Sequence, residues 1–135
     1  MSRLVSVIMA AFNADSTITT AIESVLNQDH EHWELLVIDD GSADDTHRLA
    51  ASFDDSRIRV IRQRNQGVSR ARNEGLKQMT GEFYCFLDAD DAFTPRSLRS
   101  RLEIFSRSTL IRFVDGRVLV KDKDLIDTVS EFSPG

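Results

Sequence analysis

Leu4-Val5-Ser6-Val7-Ile8-Met9-Ala10-Ala11-Phe12-Asn13 decides the fold class. Leu4 to Ala10 is a near-continuous apolar run rich in Val and Ile, which is how a strand buried on both faces reads, and such strands belong to parallel sheets covered by helices. Moving outward from it, the pattern repeats. After a polar break, Asp15 or Ser16 is placed to cap a helix whose apolar positions Ile18, Ala21, Ile22, Val25 and Leu26 follow helical spacing. Trp33 to Ile38 is a second apolar strand, ended by Asp39-Asp40-Gly41-Ser42. Asp44, Asp45 and Thr46 then suit the first turn of a helix carrying Leu49, Ala50 and Phe53. Arg57 to Arg62 alternates charged and apolar residues, so it reads as a short strand near the sheet edge, ending at Asn65-Gln66-Gly67.

A third helix is predicted from about Val68 to Met79, with Ala71, Gly75 and Leu76 as a small-residue face toward the sheet and Gly81 closing it. Glu82 to Leu87 is the fourth strand and ends in Asp88-Ala89-Asp90-Asp91. Thr94 as cap and Pro95 at the first helical position then open a helix with Leu98, Leu102 and Phe105 inward. Leu110 to Val114 and Arg117 to Val120 flank Asp115-Gly116, a dipeptide suited to a two-residue hairpin turn. Strand and helix alternating in this way predict an α/β fold with a mainly parallel sheet, because each crossover helix returns the chain to the same edge.

The composition agrees with one packed domain: 135 residues, 41% apolar, 29% charged, 6 Gly and 2 Pro. Seventeen Lys and Arg against 22 Asp and Glu leave a formal charge of −5, which disfavours nucleic acid held by phosphate neutralisation. The lone cysteine, Cys85, lies among Phe83, Tyr84, Phe86 and Leu87 and reads as a buried thiol, in keeping with a cytoplasmic setting. Leu4 to Phe12 is interrupted by Ser6 and followed by Asn13 and Asp15, so it makes a poor signal peptide, and no stretch reaches the roughly 20 apolar residues of a membrane span.

Each of the first four predicted strands stops at polar residues its periodicity does not require: Asn13, Asp39 and Asp40, Arg64 and Asn65, and Asp88, Asp90 and Asp91. Ligands of open parallel sheets bind outside the carboxyl ends of the strands, where strand order reverses. If the first strand lies between the second and the fourth, Asp40 and Asp90 stand about 10 Å apart, roughly the reach from a nucleobase to its diphosphate. Converging carboxylates suit such a ligand only with a divalent cation between them, and Asp88-Ala89-Asp90 supplies oxygen donors for Mg²⁺ or Mn²⁺. The glycines match neither the Rossmann fingerprint nor a P-loop. A structural helix-start or turn acid is the favoured reading of Asp39 over a ligand, and ordinary core is the bland alternative for Phe12. Arg70 and Arg72 could pair with surface acids, and His30, His32 and His47 lack metal-ligand spacing.

Val5 to Asn13, Ser24-Val25-Leu26-Asn27-Gln28, Glu34 to Thr46, Asn65 to Gly75, and Gly81-Glu82-Phe83 through Leu87 to Asp91 together resemble family 2 glycosyltransferases of the GT-A fold, over about residues 4 to 107. The resemblance implies a nucleotide-diphospho-sugar transferase fold in which Ala10, Phe12 and Asn13 line the nucleoside pocket and Asp40 accepts hydrogen bonds from the base. It further implies that Gly67 and Arg70 belong to the loop and helix start that close over the nucleotide. Asp88 then reaches the ribose, or the metal through water, and Asp90 binds Mg²⁺ or Mn²⁺ bridging the diphosphate. The implied reaction is inverting transfer from a nucleoside-diphosphate sugar, a UDP-sugar favoured, to an acceptor glycan or lipid-linked saccharide, at the cytoplasmic side and with peripheral membrane contact in the full-length protein. In relatives the catalytic base lies well past the metal triplet, and no residue after Asp91 is assigned that role. Residues 1–107 are expected to be the donor domain and 108–135 the start of an incomplete acceptor region, so the 135-residue chain is expected to transfer sugar poorly. The alternative is a non-catalytic nucleotide or metal binding module that keeps only the donor fold.

Overall fold

The computed structural model describes residues 3–106, 113–114 and 119–120. The elements run β1 (Val5–Ala11), α1 (Ile18–Leu26), β2 (Trp33–Asp39), α2 (Thr46–Ala51), β3 (Ile58–Arg62), α3 (Val68–Gln78), β4 (Phe83–Phe86) and α4 (Ser97–Ser106), followed by the two-residue strands β5 (Phe113–Val114) and β6 (Leu119–Val120). They form one sheet in the order β3-β2-β1-β4-β6-β5. β1 pairs in parallel with β2 on one side and β4 on the other, with Val7 opposite both Leu35 and Cys85. β3 is the parallel edge strand, as its alternating charges predict, while β6 adds antiparallel to β4 and carries β5. The hairpin therefore extends the same sheet past residue 107; its expected turn at Asp115-Gly116 lies outside the described residues.

Both faces of the sheet are covered, which explains the unbroken apolar runs. Val5, Val7, Met9 and Ala11 of β1 pack on one side with the apolar stripes of α1 and α4. Ile8 and Ala10 point the other way, into a smaller core with Ala71, Leu76 and Met79 from α3 and its end. Because successive residues of a strand face opposite sides, one strand feeds two cores.

Helix boundaries depend on longer-range contacts. Neither Asp15 nor Ser16 caps α1; Thr17 occupies the cap position without a side-chain capping bond. The Asp15 N–H instead donates to Asp44 Oδ2 (3.2 Å), tying the loop after β1 to the loop after β2. Asp44 and Asp45 precede α2 and do not form its first turn, and Asp44 accepts the Thr46 N–H at 2.9 Å. α4 begins at Ser97, so Pro95 lies in the turn before it. Gly81 does not close α3, which ends at Gln78 with Met79 already extended. A Cβ at Gly81 would stand 2.4 Å from Ser6 Oγ and 2.8 Å from the Leu4 carbonyl oxygen, so this position is set by close backbone approach. There the Gly81 N–H donates to Ser6 Oγ (2.9 Å), and Glu34 accepts from Ser6 Oγ (2.6 Å) and from the Thr80 N–H (2.6 Å). This network closes the rim opposite to the strand ends that concern function.

Gly75 lets α3 lie close on β1: an added Cβ would stand 2.4 Å from Cγ2 of Ile8, a fully buried and β-branched side chain. Ala would gain up to about 1 kcal/mol in helix propensity, but overpacking a filled core costs about 1–3 kcal/mol. Gly75→Ala is therefore expected to lower the urea midpoint of unfolding; a raised midpoint would show that the helix shifts away from the sheet at no cost.

Candidate functional site

The carboxyl ends of β1, β2 and β4 and the start of α3 meet on one rim. At the end of β1 the chain turns through Asn13, which has φ of +48°. Asn is one of the few side chains that accept this left-handed backbone region. Two bonds hold it: the Asn13 N–H donates to Ser42 Oγ (2.9 Å), and Asn13 Oδ1 accepts the Ala43 N–H (2.9 Å). The turn leaves Phe12 outside the core and 51% exposed, so the ordinary-core reading of this residue does not hold. Val68, at the first position of α3, is 52% exposed on the same rim.

The paired acids after β2 divide their work. Asp39 is fully buried. Its Oδ1 accepts the Ser42 N–H at 3.0 Å, while Oδ2 lies 3.4 Å from His47 Nδ1 and 3.7 Å from Arg62 Nε. It is a turn acid that fixes the β2–α2 loop. Asp40 faces the rim. Its Oδ1 accepts from Gln63 Nε2 (2.8 Å) and the Gln66 N–H (2.8 Å), and its Oδ2 from the Gly67 N–H (2.9 Å). Burial pushes the Asp40 carboxyl up, but these three hydrogen bonds outweigh it and hold the group below the ordinary aspartate value. Asp40 thus staples the β3–α3 loop to the end of β2. Gly67, with φ of +99°, supplies the backbone bend at the last of these bonds.

Beyond β4, ligand oxygens of Asp88, Asp90 and Asp91 lie within 4.8 Å of one another. Arg72, from α3, donates from Nη2 to Asp88 Oδ1 at 2.9 Å, and its guanidinium carbon sits 5.3 Å from the centre of the Phe86 ring. The donor set fits a hard divalent cation: all oxygen, anionic, open to water on one side, and with only one Asp88 oxygen engaged by Arg72. Asp90, which lines the cleft, would be a ligand, with Asp88 and Asp91 within reach of the same ion.

Two adjoining recesses run along the rim. One, of about 280 Å³, is lined by Ala10, Phe12, Asp40, Asn65, Gly67 and Val68. The other, of about 510 Å³, is lined among others by Phe12, Asn13, Val68, Arg72, Asp88 and Asp90. Ala10, Phe12 and Val68 are common to both, so Asp40 and Asp90 open onto one cleft from its two ends. Arg70 is placed elsewhere. It lines a separate groove with Gln63, Gln66, Asn73 and Lys77, its Nη1 3.4 Å from Gln66 Oε1.

Val68 is a cleft residue that sequence reading did not single out, and Arg72 one to which it gave no place in the site. Val68 left a signal, an apolar residue at an exposed helix start directly after Gly67. For Arg72 the sequence offered only pairing with a surface acid, and that acid is Asp88, 16 positions away; its place in the cleft left no signal along the chain. Cys85 takes no part: it is buried, and burial pushes its thiol up to about 12, which removes it as a nucleophile. His30 bonds the carbonyl of Arg3 at 2.9 Å, away from the acid cluster. Among the described residues no helix is long and apolar enough to cross a membrane.

Comparison with known proteins gives this geometry a family. The chain is 40% identical over 108 residues to the UDP-Glc:alpha-D-GlcNAc-diphosphoundecaprenol beta-1,3-glucosyltransferase WfgD of Escherichia coli, covering 79% of this chain and 43% of that protein. It is 35% identical over 128 residues to the putative teichuronic acid biosynthesis glycosyltransferase TuaG of Bacillus subtilis, covering 92% and 51%. The chain thus spans about half the length of these relatives or less. Among solved structures, S. aureus TarS 1–349 in complex with UDP-GlcNAc superposes with a TM-score of 0.74 at 30% identity, covering 84% of this chain and 36% of that one. The parallel sheet flanked by helices is the GT-A, Rossmann-like fold of TarS. With the pattern of Glycosyl transferase family 2 matched over residues 6–132, the chain belongs to that family.

Proposed function

We propose that this chain is the donor-binding part of a glycosyltransferase that takes a nucleoside-diphosphate sugar, UDP-linked by preference, with Mg²⁺ or Mn²⁺ at Asp90. The carrying observation is the single cleft that has Phe12, Val68 and Asp40 at one end and the acid triplet at the other. An exposed aromatic ring beside a buried carboxylate suits a planar base with N–H donors, and hard oxygen ligands suit a metal-bridged diphosphate. The reading is supported by TarS having been solved with UDP and with UDP-GlcNAc, and by WfgD being named for transfer from UDP-Glc to a diphosphoundecaprenol-linked sugar.

The residues divide the task as follows. Phe12 and Val68 flank the base, Ala10 leaves room for it, and Asp40 keeps the loop at Gly67 in place while presenting a carboxylate edge. Asn13 holds the backbone turn that exposes Phe12, and Asp88 lies toward the ribose. Asp90, with Asp88 nearby, would hold a divalent cation, which would supply electrostatic stabilisation of the leaving phosphate in an inverting transfer to an acceptor hydroxyl. Residues 108–135 begin the acceptor side. The acceptor is a glycan or lipid-linked saccharide reached at the inner membrane face.

Calorimetric titration with UDP, GDP and dTDP, each with and without Mn²⁺, tests the donor assignment. UDP with Mn²⁺ is expected to bind tightest and UDP alone more weakly; binding of none of the three would overturn the reading. The 135-residue chain is expected to bind donor while transferring little sugar, and efficient turnover by it would place the base among its own residues.

A further inference from the structure

We infer that Arg72 is the anion-recognising residue of the cleft, contacting the diphosphate of the donor, and that Asp88 holds its guanidinium while no donor is bound. The inference rests on the donor reading above and extends it to a residue that reading does not use. Among the described residues lining this cleft, Arg72 alone carries a positive charge. It stands between the apolar end, where a base would lie, and the acid triplet, where a cation would lie. Its position is set from two sides: the Phe86 ring lies 5.3 Å from the guanidinium carbon, and Asp88 Oδ1 accepts from Nη2 at 2.9 Å. The side chain remains 35% exposed, so the fork is presented to the cleft and not sealed beneath it. A guanidinium has five N–H donors, of which this ion pair uses one, and its planar fork matches phosphate oxygens.

Charge balance gives the pairing a purpose. The acid triplet and a diphosphate together bring more negative charge than one divalent cation offsets, and Arg72 supplies part of the remaining counter-charge. With no donor present, the same arginine neutralises Asp88 and keeps the triplet from presenting all three acids to a bare cation. Arg72 therefore acts with opposite sign on two ligands: it favours the nucleoside diphosphate and disfavours the metal alone. A residue that merely supports the fold would weaken both together.

Titration of Arg72→Ala and Arg72→Lys, against the unaltered chain, with Mn²⁺ alone, with UDP in Mn²⁺, and with uridine, reads this sign. Arg72→Ala is expected to bind UDP about tenfold more weakly, the effect of one lost charge-assisted hydrogen bond. It should bind uridine unchanged and Mn²⁺ alone more tightly than the parent chain. Arg72→Lys, which keeps the charge without the fork, is expected to fall between the two for UDP and to match the parent for Mn²⁺. A cooperative melt for each variant separates loss of ligand from loss of fold. Equal weakening of UDP and uridine, weaker binding of Mn²⁺ alone, or unchanged UDP binding in Arg72→Ala would each overturn the assignment. Failure of the unaltered chain to bind UDP would instead remove the donor reading, and this inference with it.

Discussion

Asp40→Ala is expected to destabilise the chain by about 3 kcal/mol at pH 7 and to abolish measurable UDP binding. The magnitude follows from the three hydrogen bonds that Gln63, Gln66 and Gly67 direct at one nearly buried carboxylate. Each is worth about 1.5–3 kcal/mol when the acceptor is charged, and the sum falls short of additivity because the released N–H groups regain water. Acid dependence gives a second, independent signature. The folded-state value of Asp40 lies below its unfolded value, which is about 3.9 for an aspartate. Its stabilisation is therefore fully present above roughly pH 4 and is lost as pH falls through the lowered folded-state value. Urea midpoints of the two proteins at pH 7 and pH 3 should accordingly differ less at the lower pH. An unchanged gap would mean that the hydrogen bonds do not depend on the ionised form. The binding effect has a structural component as well, since freeing residues 63–67 removes Gly67 and Val68 from the wall of the cleft.

Asp90→Asn is expected to leave the fold intact and to remove the enhancement that Mn²⁺ gives to UDP binding, a loss on the order of a hundredfold. Loss of groups that only support the ligands of a metal already costs about 10–100-fold in affinity, and on the proposed reading Asp90 would touch the metal directly, so its change from anionic to neutral should cost at least as much. Asp90 is exposed at the mouth of the cleft, so removing its charge should cost little stability. Uridine, which lacks the diphosphate, should bind the variant and the parent equally. A variant that retained the full Mn²⁺ effect would shift the metal to Asp91 or Asp88, and one that also lost uridine would make Asp90 a nucleoside contact.

The long-range logic of the cleft separates what could be read along the chain from what could not. Apolar runs in β1 and β2 identified strands buried on two faces, and the helical stripe Ile18, Ala21, Ile22 and Val25 is buried as its spacing requires. These patterns depend only on the local period of the backbone, so one sequence suffices to show them. The same holds for β3 as an edge strand and for acids at the strand ends. Caps were less legible. Asp15 reads as a helix cap, but its backbone is already committed to Asp44, and Gly81 reads as a helix terminator, whereas its actual constraint is Ser6, 75 positions earlier in the chain.

The amino-acid sequence by itself determined the layered α/β architecture, the family, and the presence of acids after β2 and β4, because hydrophobic period and strand termini are properties of neighbouring residues. Tertiary structure decided which of those acids does what. Asp39 is buried under Arg62 and His47, Asp40 is spent largely on holding a loop, Asp88 is tied to Arg72, and Arg70 turns away from the cleft that Arg72 enters. The reason is physical: the role of a charge depends on its desolvation and on which donors reach it, and both are fixed only when segments far apart in sequence are packed together.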